Sequence, residues 1–219
     1  DPLLESSPFS RFPTWMWANH SVLEFTRWLK SHNERIAGRE NQVGFYGLDL
    51  YSLSSSIEVV LNYLEAVDPA TAEVARLRYG CLTPWSRDPA LYGQVTLTKR
   101  YRSCESDVVA ALRDLLKRRL EYSTADGERY FDAEQNARLV ANAERYYRTM
   151  YYAESNSWNQ RDQHMFDTLQ SVLKYRGPQA KAVIWEHNSH IGDARATGMS
   201  TRGELSVGRR QLLRYAGAT

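Results

Sequence analysis

Apolar positions recur every three or four residues through most of the chain, the pattern of helices with one buried stripe. Ile57, Val60, Leu61 and Leu64 follow such a stripe behind the capping box Ser55-Ser56-Ile57-Glu58. Asp68-Pro69 puts an N-cap ahead of a proline at the first helical position, opening a helix through Val74 and Leu77 toward Gly80. From about Ser103 to Tyr122 one long amphipathic helix is expected, with Val108, Leu112, Leu115 and Arg119 on its stripe and Val109, Leu116 and Leu120 widening it. Asp126-Gly127 breaks that pattern. Asp132 with Gln135 starts the next helix, whose buried face is Leu139, Ala143, Tyr146, Tyr147, Met150 and Tyr151. Ser157 with Gln160 opens a further one, and Gly177-Pro178 ends it.

Two short runs depart from this period. Val43-Gly44-Phe45-Tyr46-Gly47-Leu48 and Ala182-Val183-Ile184-Trp185 are nearly continuous apolar segments, as expected of strands covered by helices on both faces. The expected fold is therefore α/β, a small and mostly parallel sheet flanked by helices, with a mainly helical insertion over about residues 52–176 between the strands.

Composition narrows the function classes. The 219 residues are 42% hydrophobic and 25% charged, enough for a compact domain with a core. Twenty-eight Lys and Arg against 26 Asp and Glu leave a formal charge of +2, too small a field to hold nucleic acid or an anionic membrane surface. No apolar run approaches the roughly 20 residues of a membrane span, and Asp1-Pro2-Leu3-Leu4-Glu5 lacks the features of a signal peptide. Two cysteines, Cys81 and Cys104, fall short of a disulfide framework, so a reducing, cytoplasmic setting is expected.

In α/β sheets ligands bind beyond the carboxyl ends of the strands. The first run leads into Asp49, Leu50 and Tyr51, and the second into Glu186-His187-Asn188-Ser189-His190. A histidine pair placed there can divide general-base and oxyanion-stabilising work, or ligate a metal. No third and fourth ligand stand at recognisable spacing, so a closed zinc site is not favoured. Arg161 is the second anomaly, a guanidinium within the stripe Trp158, Met165, Leu169 and Val172. It needs a buried carboxylate, with Asp49 and Glu186 the candidates, or a cavity where it meets an anionic or carbonyl oxygen. Trp15-Met16-Trp17 is a candidate edge for an apolar cleft, whereas His20 and His32 read as ordinary helix residues. His164 is expected at a solvent position, and Arg209-Arg210 on a solvated face.

Four separated blocks resemble the erythromycin esterase family, in the family's order. They are Arg11-Phe12-Pro13-Thr14-Trp15-Met16-Trp17, Val43 to Tyr51, Ser157-Trp158-Asn159-Gln160-Arg161-Asp162-Gln163-His164-Met165, and Ile184-Trp185-Glu186-His187-Asn188-Ser189-His190. The resemblance implies an α/β core with a large helical portion, and hydrolysis of a cyclic ester by a histidine-activated water; separately, no cofactor or metal is expected. It implies His187, His190 and Arg161 as catalytic residues; Asp49 and Glu186, from their positions after the two runs, and Trp15, from the apolar cleft, are expected on the substrate side. Family members also carry, ahead of these blocks, a strand and a Gly-Glu-x-x-His segment whose histidine is taken as the general base. No such segment stands here, so the chain reads as an internal fragment, expected to lack esterase activity by itself.

The leading expectation is thus hydrolysis of a small-molecule ester or lactone, with neither nucleic acid nor membrane as partner. A metal-dependent hydrolase using His187 and His190, and a noncatalytic domain holding a hydrophobic ligand, are the alternatives.

Overall fold

The computed structural model describes residues 14–38, 41–152 and 154–210, with the side chains of 154–156 left aside. The chain divides into two compact units, residues 1–47 and 48–219.

The first unit carries α1 (Thr14–Trp17) and α2 (His20–Glu34). Asn19 joins them: its side chain accepts from the Val22 amide at 3.0 Å and donates to the carbonyls of Trp15 and Met16 at 3.0 and 2.9 Å. That satisfies donors orphaned at the start of α2 and carbonyls left at the end of α1. Val22 and Leu29 are buried, while Trp15 on α1 is 68% exposed. Phe25 meets Trp28 and Phe45, and Trp28 stacks on His32.

The second unit is a helical bundle of α3 (Leu53–Val67), α4 (Pro69–Tyr79), α5 (Pro89–Leu97), α6 (Glu105–Lys117), α7 (Arg119–Ala125), α8 (Gly127–Thr149) and α9 (Glu154–Arg176). Helix α8 is its axis, packing against α3, α5, α6, α7 and α9, while α4 lies on α3 and α6. Ala133, Ala137, Val140 and Ala143 give α8 a narrow buried seam that lets neighbours approach closely. At the α5 contact a Cβ on Gly93 would sit 2.1 Å from the Tyr147 carbonyl oxygen, so a larger residue would force the two helices apart.

Asp68 caps α4 as the sequence requires, its side chain accepting from the Thr71 amide with Pro69 at the first helical position. Other boundaries move. Helix α3 begins at Leu53, which leaves the Ser55 capping box inside its first turns. The expected long helix over 103–122 is two helices that change course at Arg118, where φ is −100° and ψ is 18°. Leu120, assigned to its stripe, is 85% exposed. Asp126 accepts from the Arg129 amide and so starts α8 six residues ahead of Asp132. Gly177, at φ +97°, ends α9 in the left-handed region that glycine tolerates.

The α/β expectation is overturned: among the described residues there is no strand and no sheet. Both apolar runs lack the neighbouring ladder that turns an extended segment into a strand. Val43 and Phe45 are about half exposed, Val183 is fully exposed and Trp185 is 63% exposed. Val43 instead borrows one side chain, that of Asn33, which accepts from its N–H at 2.8 Å and donates to its carbonyl at 2.9 Å. Continuous apolar character predicts burial between layers, and among the described residues no second layer covers Val43, Phe45, Val183 or Trp185.

Cys81 and Cys104, expected as thiols, form a disulfide that ties the end of α4 to the start of α6. Among the described residues no helix is long and apolar enough to cross a membrane.

Candidate functional site

The chemistry-bearing residues of the second unit gather where the first turns of α9 meet residues 186–207. Helix α9 grips the chain beyond its partner turn through side chains one face apart. Trp158 donates from Nε1 to the Leu205 carbonyl at 2.9 Å. Asn159 donates to the Gly203 carbonyl at 2.9 Å and accepts from the Leu205 amide at 2.7 Å. Ser206 in turn donates to the Gly192 carbonyl at 2.5 Å, tying this segment to the short helix α10 (Asn188–Ile191). Gly208 packs so closely that a Cβ would stand 2.0 Å from the Ile191 carbonyl oxygen.

His190, on α10, is buried and its Nδ1 lies 2.8 Å from Asp162 Oδ1. Asp162 is fully buried, and its second oxygen accepts from the Val207 amide at 3.1 Å, so the carboxylate is held at both ends. The Trp158 indole lies flat on the imidazole, with centroids 4.6 Å apart and planes 4° from parallel. Trp158 and Asp162 are one helical turn apart, which is why a single face of α9 can fix the ring by stacking and by hydrogen bonding at once. With Nδ1–H donated to the carboxylate, the neutral ring presents Nε2 as its basic nitrogen.

His187 has the opposite arrangement. It is exposed, it N-caps α10, and its Nδ1 accepts from the Ser189 amide at 3.2 Å while Ser189 Oγ lies 2.9 Å away. An Nδ1 that accepts leaves the proton on Nε2, so this ring presents a donor.

Arg161 takes the carboxylate partner that its place in an apolar stripe demanded. Nε and Nη2 donate to Asp49 at 2.9 and 2.7 Å, and the guanidinium carbon lies 4.7 Å from the Tyr51 ring centre. Burial works against its charge, but the Asp49 pair more than compensates and raises its pKa. Asp49 therefore serves the arginine and does not present a free carboxylate. Arg161 also lines a cleft of about 230 Å³ with Tyr146, Ser157, Trp158 and Glu204. Burial foremost pushes the Tyr146 hydroxyl up, and its oxygen lies 3.2 Å from that of Tyr51. Glu204 is buried and paired with Arg202 at 2.7 Å.

Glu186 is different in kind. Both carboxyl oxygens are buried, and neither has a hydrogen-bond partner among the described residues. Burial is the largest cause of its raised pKa; Asp162 and Asp49 add to the rise, while His190 and Arg161 oppose it. Five groups named in the sequence or adjoining those named, Asp49, Arg161, Asp162, Glu186 and His190, thus form one electrostatic cluster. Trp15 belongs to the first unit.

Asp162, Trp158, Tyr146 and Glu204 were not singled out as site residues by sequence. Asp162 carried a usable signal, since it adjoins Arg161 and stands one turn after Trp158. Tyr146 and Glu204 carried none, because only the fold brings them to α9. His164, expected in solvent, is buried, with Nδ1 2.9 Å from Asn142 Nδ2, and burial lowers its pKa to about 4. Arg210, expected on a solvated face, is half-buried and donates to the Asn159 carbonyl at 3.2 Å. Among the described residues no three His, Cys, Asp or Glu side chains group as metal ligands.

Two solved structures share this fold. One, described as a succinoglycan biosynthesis protein, aligns with a TM-score of 0.71 at 17% identity, over 90% of this chain and 46% of its own. The other, a protein from Bacillus cereus, aligns with a TM-score of 0.72 at 17% identity, over 91% of this chain and 47% of its own. The chain thus spans about half the length of these structures, and at such identity the likeness speaks for fold alone. Sequence is more specific: the erythromycin esterase family profile matches residues 1–217, nearly the whole length. The chain belongs to the erythromycin esterase family.

Proposed function

We propose that this domain serves the hydrolysis of a carboxylic ester or lactone by an activated water. The observation that carries the reading is the buried Asp162–His190 pair at 2.8 Å, stacked on a tryptophan that lines the same cleft as Arg161. Asp162 holds the imidazole in one tautomer and stabilises the cation that forms. His190 Nε2 takes a proton as water oxygen bonds to the ester carbonyl carbon. The carbonyl oxygen becomes an oxyanion, which a guanidinium fixed in position stabilises without reorganising. Asp49 supplies that fixity, and it uses Nε and Nη2, so Nη1 lies outside the pair. His187, presenting an Nε2–H, is a second donor for the oxyanion. Collapse breaks the bond from carbonyl carbon to leaving oxygen, and His190 returns its proton to that oxygen.

The family membership supports an ester as the substrate class, and a macrolide lactone is one candidate within it. The test is hydrolysis of p-nitrophenyl butyrate and of a macrocyclic lactone by this domain joined to the family's Gly-Glu-x-x-His segment, and by the same protein with Asp162→Asn. The variant should keep its fold and lose about 100-fold in kcat/KM. Equal rates for the two proteins would remove Asp162 and His190 from the chemistry.

A further inference from the structure

The cleft beside Arg161 carries a hydroxyl that the hydrolysis steps leave unused, that of Tyr146. Among the described residues this hydroxyl meets one group, the Tyr51 hydroxyl at 3.2 Å. Two hydroxyls carry two protons and spend only one on each other, so the pair keeps a donor in hand. Tyr51 is fixed in turn: the Arg161 guanidinium carbon lies 4.7 Å from its ring centre, and the Tyr146 ring meets it edge to face, with centroids 6.0 Å apart and planes at 84°. Arg161 is held on Asp49 through Nε and Nη2, with Nη1 outside that pair. Glu204, on the same cleft, is matched by Arg202, whose Nε and Nη2 donate to one carboxylate oxygen at 3.1 and 2.7 Å. Trp158 supplies the apolar part of the wall.

We propose that Tyr146 contacts the substrate: it accepts from Tyr51 and donates its own O–H to the carboxyl oxygen of an acyl group seated against Trp158 in this cleft. A hydroxyl rotor turns at little cost, so the Tyr51–Tyr146 bond can point toward the cleft once an acceptor arrives, and two O–H bonds in series strengthen each other. A phenol and a guanidinium on one cleft are both donors, which matches an oxygen that accepts, and the Arg202 pair offsets the repulsion that Glu204 would exert on it. The cleft's volume of about 230 Å³ lies below that which encloses a drug-sized ligand, so it seats the acyl arm and leaves the alcohol portion of an ester outside.

That the acyl group belongs to an ester rests on the hydrolase reading, but the binding of a carboxyl oxygen does not, and the two fail separately. Calorimetric titration with butyrate compares the protein with Tyr146→Phe, which keeps the ring and its edge-to-face contact and removes the hydroxyl. The variant should bind butyrate about tenfold more weakly, the loss expected for one hydrogen bond to a charged group. Equal affinity, or no saturable binding by the parent protein, overturns the proposal. Should Tyr146→Phe fold poorly, a fluorinated tyrosine in place of Tyr146 decides instead, since it keeps the hydroxyl. Its fluorine resonance should shift as butyrate saturates the protein, and an unmoved resonance with butyrate bound refutes the contact. A tenfold loss of butyrate affinity with no ester cleaved by the protein joined to the Gly-Glu-x-x-His segment removes the proposed function and leaves the acyl site standing. Ester cleavage with equal butyrate affinity does the reverse.

Discussion

In the helical bundle Glu134, Glu144 and Asp68 each take donors on at least one carboxyl oxygen, although Glu144 Oε2 has none among the described residues. Glu144 Oε1 accepts from Tyr92 at 2.5 Å, Ser103 at 3.2 Å and Arg148 at 2.9 Å. Glu134 is held by Arg138, and Asp68 takes Tyr122, Thr71 and Arg118. At the head of α9 the accounting differs. Asp162 is satisfied by a group that can change its charge, and Glu186 has no partner at all among the described residues. The first region spends its polar groups on holding helices together, since a buried charge without a partner costs several kcal/mol. The second holds one acid without a donor and another on a titratable ring, a pattern that costs stability and recurs at active sites.

The comparison breaks first at His190. Replacement by asparagine should lower ester hydrolysis about 1,000-fold with the melting temperature little changed, since the proposed general base is lost while a polar side chain partly refills the gap. A large drop in melting temperature with full specific activity would instead make His190 a bundle residue.

The disulfide probes the other region. It closes the loop between Cys81 and Cys104, a separation of 23 residues, and Tyr92 within that loop accepts from the Cys104 amide at 2.8 Å while donating to Glu144. Replacing both cysteines with serine should cost about 3 kcal/mol of stability. Chemical denaturation reads that loss.

His164 gives a pH test of similar size. Its pKa falls to about 4 on burial, below the ordinary 6.5, so the folded protein binds fewer protons than the unfolded chain between those values. Stability is therefore complete above about pH 6.5 and declines as the pH falls toward 4, by up to about 3 kcal/mol. The same series on His164→Gln should lose that part of the slope. The smallest expected effect is at Leu120, whose 85% exposure leaves little area to lose. Leu120→Gln should fall within about 0.5 kcal/mol of the parent in the same denaturation series.

What could be read from the residues alone was local. Asp68-Pro69 starts a helix because a side-chain oxygen and a proline ring act within one turn, and Gly177 ends one because its backbone tolerates a positive φ. Arg161 announced the need for a carboxylate, since a guanidinium in an apolar stripe cannot go unpaired, and the sequence narrowed the partner to Asp49 or Glu186. Tertiary structure decided between them, and it alone decided that Asp162 holds His190, that Glu186 meets no donor among the described residues and that His164 is buried. The same division explains why the expected sheet is not found among the described residues. Apolar runs such as Ala182 to Trp185 state a preference for burial, but a strand exists only when another segment supplies its hydrogen bonds, and that is a property of neighbours distant in sequence.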